Sequence, residues 1–255
     1  MRRAEATAGS AALAEALKLL EASRRRTLAF VRDLPDEVLT SWPDPEFSPL
    51  CWHLGHVAYT EALWLHRQVH GDARFVEGYE RRFDQRGCPK VERSAGYARA
   101  RLFTYLGEVR DASRTLVARA DAEALPPLLE EGYLLWFLAC HEDQHRETMA
   151  YVLGMERAGQ APTDAEALPL DDEGPPPRVA LPGGRVTLGH TRRRAYDNER
   201  PALAVDLAPF VLDAHPVTAA AWMRFMEAGG YAERSLWDEE GWRWRSVQDV
   251  RAPRG

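Results

Sequence analysis

Lysine is almost missing from this chain: of 33 basic residues in 255, only Lys18 and Lys90 are lysines and the rest are arginine. The arginines are interleaved with 39 acidic residues, for a formal net charge of -6. That balance excludes a general nucleic-acid binder, which needs surplus cations to neutralise phosphates. Two short clusters, Arg24-Arg25-Arg26 and Arg192-Arg193-Arg194, read as solvated surface rather than a polyanion site. Cysteine is also scarce. Cys51, Cys88 and Cys140 are odd in number and form no C-x-x-C pair, which excludes a zinc ribbon or dithiol redox motif and fits a reducing cytoplasm. No stretch approaches the roughly 20 apolar residues of a membrane span, and Glu15 and Lys18 interrupt the apolar run near the N-terminus, so neither export nor membrane insertion is expected. What remains is ordinary for a globular protein, with 45% hydrophobic and 28% charged residues, and long enough for one large or two modest domains.

The first 155 residues carry helical periodicity. Leu13, Leu17, Leu20, Leu28 and Val31 recur at steps of three and four up to Leu34-Pro35, which predicts an amphipathic first helix. Ser48 as N-cap and Pro49 as first helical residue predict a second helix running to about Gly71. A third follows Ser94, with stripes at Tyr97, Arg101, Tyr105, Val109 and at Leu102, Leu106, Leu116. A fourth is expected from Pro127 to Gly154. Four long helices with one longer connection make a four-helix bundle over residues 1–155 the economical way to bury these stripes. The proline-rich, acidic tract "GQAPTDAEALPLDDEGPPP" has linker composition, and residues 156–180 are assigned to it. From residue 181 to 255 the period changes. "RVTLGH" and "LAVDLAPFVLDAH" alternate like strands, and Thr218 caps a short helix closed by Gly229-Gly230. The fold class is therefore a two-domain α+β protein.

Residues 141–145 read HEDQH and satisfy the H-E-x-x-H pattern of zinc peptidases. His141 and His145 lie on one helix face with Leu134, Leu138, Thr148 and Val152, the stripe a bundle turns inward. Glu142 sits about 100° round the helix, and its access to a metal is open. Burying two unpartnered imidazoles costs about 1–3 kcal/mol each, a cost that a metal removes. A peptidase needs a third ligand downstream, but Thr148 and Tyr151 stand where Gly and His would be required in one variant, and Glu166 and Glu173 fall in the linker-like tract. The better source is upstream, in "SPLCWHLGHVAYTEALWLHR", which offers His53 and His56. Three imidazoles suit zinc, iron, copper or nickel.

"SPLCWHLGHVAYTEALWL" and "HEDQHRETMAYVL", followed by "LPGGRVTLG", "DNERPALAVDLAPFVLDAHPVTAAAWMRFMEAGGY" and "GWRW", resemble the iron-dependent sulfoxide synthases of ergothioneine biosynthesis over about residues 10 to 245. That resemblance implies a DinB-like four-helix bundle joined to the N-terminal part of a formylglycine-generating-enzyme-like, C-type-lectin-like domain (sulfatase-modifying-factor type). It implies His56, His141 and His145 as ligands of one iron(II), with dioxygen as co-substrate. His53 then lies outside the ligand set, in a supporting or surface position. Gln144 is implied as a contact to the histidine-derived substrate, and Arg82, Arg86 and Lys90 are candidates to grip the carboxylates of the thiol donor. Glu147 is a ligand-orienting or plain helix-surface residue. The implied reaction joins the sulfur of a cysteine-containing thiol to the imidazole of Nα-trimethylhistidine as a sulfoxide; a carbon–selenium variant exists in the same fold.

The formylglycine-type portion up to Gly255 is about half of what that fold needs, and the tyrosine expected to donate a proton is not matched up to that residue. The chain is therefore expected to be a fragment, a truncated member, or half of a site completed by another chain; an incomplete β-rich domain exposes unpaired edges and apolar surface, so its second region is expected to be poorly ordered or unusually packed. The alternative function is a DinB-like metal-dependent thiol transferase or a non-catalytic metal-binding bundle. The oligomeric state is left open.

Overall fold

The computed structural model describes residues 2–121, 124–157 and 176–253, and most of the proline-rich tract read as a linker lies outside them. Two compact units result: residues 1–159 with 191–200, and residues 160–190 with 201–255.

The first unit is a helical bundle. Helix α1 (Arg2–Val31) buries Leu13, Ala16, Leu20, Ser23, Arg24, Thr27 and Val31, steps of three and four that keep one face inward. After Pro35 comes the short α2 (Asp36–Thr40). Helix α3 (Leu50–Glu61) is buried at every position, so it is the central element, flanked by α5 and α6. It carries no side-chain cap and starts one residue later than the sequence suggests. The Ser48 hydroxyl, expected to cap it, instead accepts from the Arg93 guanidinium. The chain continues as a π-helix, Ala62–Val69.

A single turn, α4 (Glu80–Phe83), precedes α5 (Arg99–Ala118) and α6 (Tyr133–Glu156). Helix α6 starts later than Pro127 because Glu131 and Gly132 adopt φ of 53° and 71°. A Cβ on Gly132 would lie 2.7 Å from the Ala16 Cβ and 2.8 Å from the Ala12 carbonyl oxygen; only glycine permits that approach to α1. The four long helices pack as α1 on α6 and α5, and α3 on α5 and α6, the expected four-helix arrangement. Along α6, Leu134, Leu135, Leu138, Met149 and Val152 are buried, each stabilising by about 1.5–3 kcal/mol relative to exposure.

Residues 191–200 fold onto the same unit. Arg194 donates to the carbonyls of Ala12 at 3.1 Å and Glu131 at 2.8 Å, Arg193 pairs with Glu130, and Ala195 is buried. The arginine cluster read as solvated surface is thus partly a clasp, because the Glu130 carboxylate and the main-chain carbonyls of Ala12 and Glu131 lie opposite it. The same correction applies to Arg24, which is buried among carboxylates.

The second unit contains strands β1 (Arg178–Leu181), β2 (Gly184–Leu188), β3 (Leu203–Leu207) and β4 (Phe210–Asp213). They form two antiparallel pairs, β1 with β4 (Arg178 opposite Asp213) and β2 with β3 (Gly184 opposite Leu207). Helix α7 (Ala219–Glu227) begins as expected, with the Thr218 hydroxyl accepting from the Ala221 amide at 3.1 Å. Helix α8 (Glu239–Val247) is capped by Asp238. Among the described residues of this unit only Gly230 is buried, and Leu188, Leu203, Val211 and Leu212 are exposed, the apolar exposure expected of an incomplete β-rich domain. Among the described residues no helix is long and apolar enough to cross a membrane.

Candidate metal centre

His56, on α3, and His141 and His145, on α6, each present a ring nitrogen such that all three lie within 4.8 Å of one another, a grouping that can hold a metal ion. The i, i+4 spacing stacks the α6 pair on one face, with Nε2 of His145 3.1 Å from Nε2 of His141. His56 is aimed by its surroundings. Its Nδ1 lies 2.7 Å from the Phe83 carbonyl oxygen, so Nδ1–H donates there and the Nε2 lone pair is left for a ligand role. Trp52 stacks on the His56 ring with centroids 4.6 Å apart, and the Arg93 guanidinium covers the far face of Trp52 at 3.8 Å. Gly55 admits the Phe83 ring, since a Cβ there would sit 2.0 Å from it.

Burial pushes His141 down to about 3, with His56 acting in the same direction, and His145 down to about 2, aided by His141, His53 and His56. Burial also lowers His56, against the Phe83 hydrogen bond that raises it. The rings are therefore neutral at physiological pH, with lone pairs available, as metal ligation requires. The donor set fits a divalent transition metal of the zinc, iron, copper or nickel type.

Glu142, the acid of H-E-x-x-H, is occupied elsewhere. Its carboxylate takes Arg24 Nε at 2.8 Å and Arg110 Nη2 at 3.2 Å, and Glu61 takes the same two arginines at 3.2 and 2.9 Å. These four side chains, one from each long helix, are at most 6% exposed. Burial would raise the Glu61 carboxyl, yet Arg110 and Arg24 hold it at about 2. A carboxylate so engaged has no free oxygen for general-base work, and the peptidase pattern is accidental here.

The expected substrate residues are more dispersed. Gln144 is exposed and donates from Nε2 to the Tyr196 hydroxyl at 3.1 Å. Arg82 binds the Ala95 and Gly96 carbonyls, Arg86 is exposed beside Asp84, and Lys90 donates to the Glu46 carbonyl. Glu147 is exposed and accepts from Tyr151 at 3.2 Å, the helix-surface role. His53 lies beside the cluster, its Nδ1 2.8 Å from Nδ1 of His145. Cys51 and Cys88 are buried and all three cysteines are free. The sequence did not betray Phe83, whose contribution is a main-chain oxygen. The quartet left a trace, because Glu61 stands inside the apolar run "VAYTEALWL".

Comparison with known proteins agrees with this architecture. Residues 19–149 match the DinB superfamily, and residues 165–254 match the sulfatase-modifying factor enzyme 1-like domain. The hercynine oxygenase of Mycolicibacterium thermoresistibile is 33% identical over 267 residues, covering 94% of this chain and 54% of that protein. Hercynine oxygenases of Mycolicibacterium smegmatis and Mycobacterium tuberculosis are 32% and 33% identical, each over 92% of this chain and 55% of the relative. The chain thus spans about half the length of the curated relatives it matches.

Proposed function

Since this chain belongs to the DinB superfamily, we propose that His56, His141 and His145 hold one iron(II) ion and that the chain carries the metal-binding part of an oxygen-dependent sulfoxide synthase. The substrates of this reading are Nα-trimethylhistidine (hercynine) and a cysteine-containing thiol, joined through a new carbon–sulfur bond. The observation that carries it is the convergence of three neutral imidazoles from two helices within 4.8 Å, with the neighbouring carboxylate Glu142 withdrawn into an ion-pair network. The relatives' name, hercynine oxygenase, supports hercynine and dioxygen as substrates, and the three-imidazole donor set is one that suits iron.

Held by His56, His141 and His145, an iron(II) ion would keep a net positive charge, since the three imidazoles are uncharged, and would supply affinity for thiolate and for dioxygen. The protein's own groups prepare that site. The Phe83 carbonyl fixes the His56 ring, and Trp52 and Arg93 stack behind it. Gln144, adjacent to His145, is the proposed contact to trimethylhistidine, and Arg82 and Arg86 are the proposed partners of the donor carboxylates. The three free cysteines suit a reducing cytoplasm.

The test is anaerobic iron(II) loading followed by dioxygen uptake with trimethylhistidine and a thiol. Dioxygen-dependent sulfoxide formation, abolished in His56→Ala, is the expected result; failure to bind iron(II) overturns the proposal. Exposure of the second unit favours a second reading, a metal-dependent thiol transferase or non-catalytic metal-binding bundle. Thiol transfer without dioxygen uptake would identify the transferase. A carbon–selenium product from a selenium donor would instead mark the variant reaction on the same site.

A further inference from the structure

His53 is 4% exposed and lies outside the three-residue cluster, yet its Nδ1 is 2.8 Å from Nδ1 of His145. A neutral imidazole carries one N–H and one lone pair, so each nitrogen of His145 has a single role. If Nε2 carries the proton, His145 presents a hydrogen to His141, 3.1 Å away, and offers nothing to a metal. For the Nε2 lone pair to face the cluster, the proton must sit on Nδ1, and His53 must then accept it.

We propose that His53 is a positioning residue: its Nδ1 accepts the Nδ1–H of His145, fixing the tautomer in which the His145 Nε2 lone pair faces the metal cluster. This rests on the cluster being a metal site. Accepting at Nδ1 places the single proton of His53 on Nε2, a buried atom with no hydrogen-bond partner. Trp52 meets both His53 and His145 edge-on, at 5.4 and 6.5 Å, and so limits rotation of either ring. His56 and His145 are thereby matched, each donating through Nδ1–H to a fixed acceptor, a main-chain oxygen for one and an imidazole nitrogen for the other.

The experiment uses the full chain, zinc(II) as a diamagnetic probe, and ¹⁵N-labelled histidine. Two-bond ¹⁵N–¹H correlation spectra of the zinc-loaded protein are expected to show His145 protonated at Nδ1 and His53 at Nε2. His53→Leu should lower zinc affinity about 10- to 100-fold, the usual effect of losing such a partner, and His53→Asp, an acceptor only, should restore most of it. Assignment of the His53 proton to Nδ1, or wild-type affinity in His53→Leu, overturns the inference. Should His53→Leu not fold, the wild-type spectrum alone decides. Absence of zinc binding by the wild type would instead remove the metal site itself.

Discussion

Leu54 in α3 has no exposed surface, whereas Leu212 in β4 leaves 54% of its surface in solvent. The two leucines stand for their units. In the bundle, helical periodicity closes on itself: four helices each supply a face, and the centre is filled by α3. In the second unit each strand has one neighbour, so alternating residues such as Val179, Leu188, Leu203 and Val211 keep between 45% and 61% of their surface exposed. A two-stranded pair leaves an edge and a face without partners. Local pattern therefore suffices to form an element, but burial requires further layers, and only the first unit contains them among its described residues.

This contrast can be broken most strongly in the ion-pair quartet. Arg110→Met leaves Glu61 and Glu142 with Arg24 as their one shared cation, so one buried negative charge goes uncompensated, and it is expected to destabilise the bundle by about 3–5 kcal/mol in denaturant unfolding. Leu54→Ala should cost about 2–5 kcal/mol, because a fully packed site collapses poorly. Gly55→Ala forces the Phe83 ring away and should cost about 1–3 kcal/mol; metal affinity, measured by cobalt(II) titration, should fall with it, since Phe83 also anchors His56. The metal-free protein sharpens the contrast through pH. His141 and His145 have folded-state values below the ordinary 6.5, so the unfolded chain binds more protons, and stability present above about 6.5 is lost as pH falls toward 3. Thermal unfolding of chelator-treated protein across that range should show this decline, extended by Glu61 from 4.5 to about 2. Leu212→Ala, at the opposite extreme, should change stability by no more than about 0.5 kcal/mol.

Helix periodicity made the bundle legible, because α1, α3, α5 and α6 each repeat apolar residues over many turns. Strands β2, β3 and β4 were legible from alternation at shorter range, and the Thr218 cap from its residue type, but β1 was not, since it begins at Arg178 inside the tract read as linker. The start of α6 was not, since it depends on a glycine meeting Ala12 and Ala16, far away in sequence. Within the site, the H-x-x-x-H pair announced itself by spacing, and the upstream histidines by their apolar surroundings. The fate of Glu142 was hidden, because only the fold brings Arg24 and Arg110 to it. The acceptor on His56 was hidden for a different reason: a main-chain carbonyl carries no residue signature.

The four mutually neutralising charges also constrain how this sequence can drift. A lone neutral substitution strands a partner at about 3–5 kcal/mol, a large fraction of the 5–15 kcal/mol that typically separates folded from unfolded chains. Exchanging the whole set for apolar side chains of similar volume would be neutral or favourable. Between those two states lies a valley that single mutations cannot cross without stability in reserve, so the quartet can persist by inheritance alone, whatever the chemistry next to it becomes.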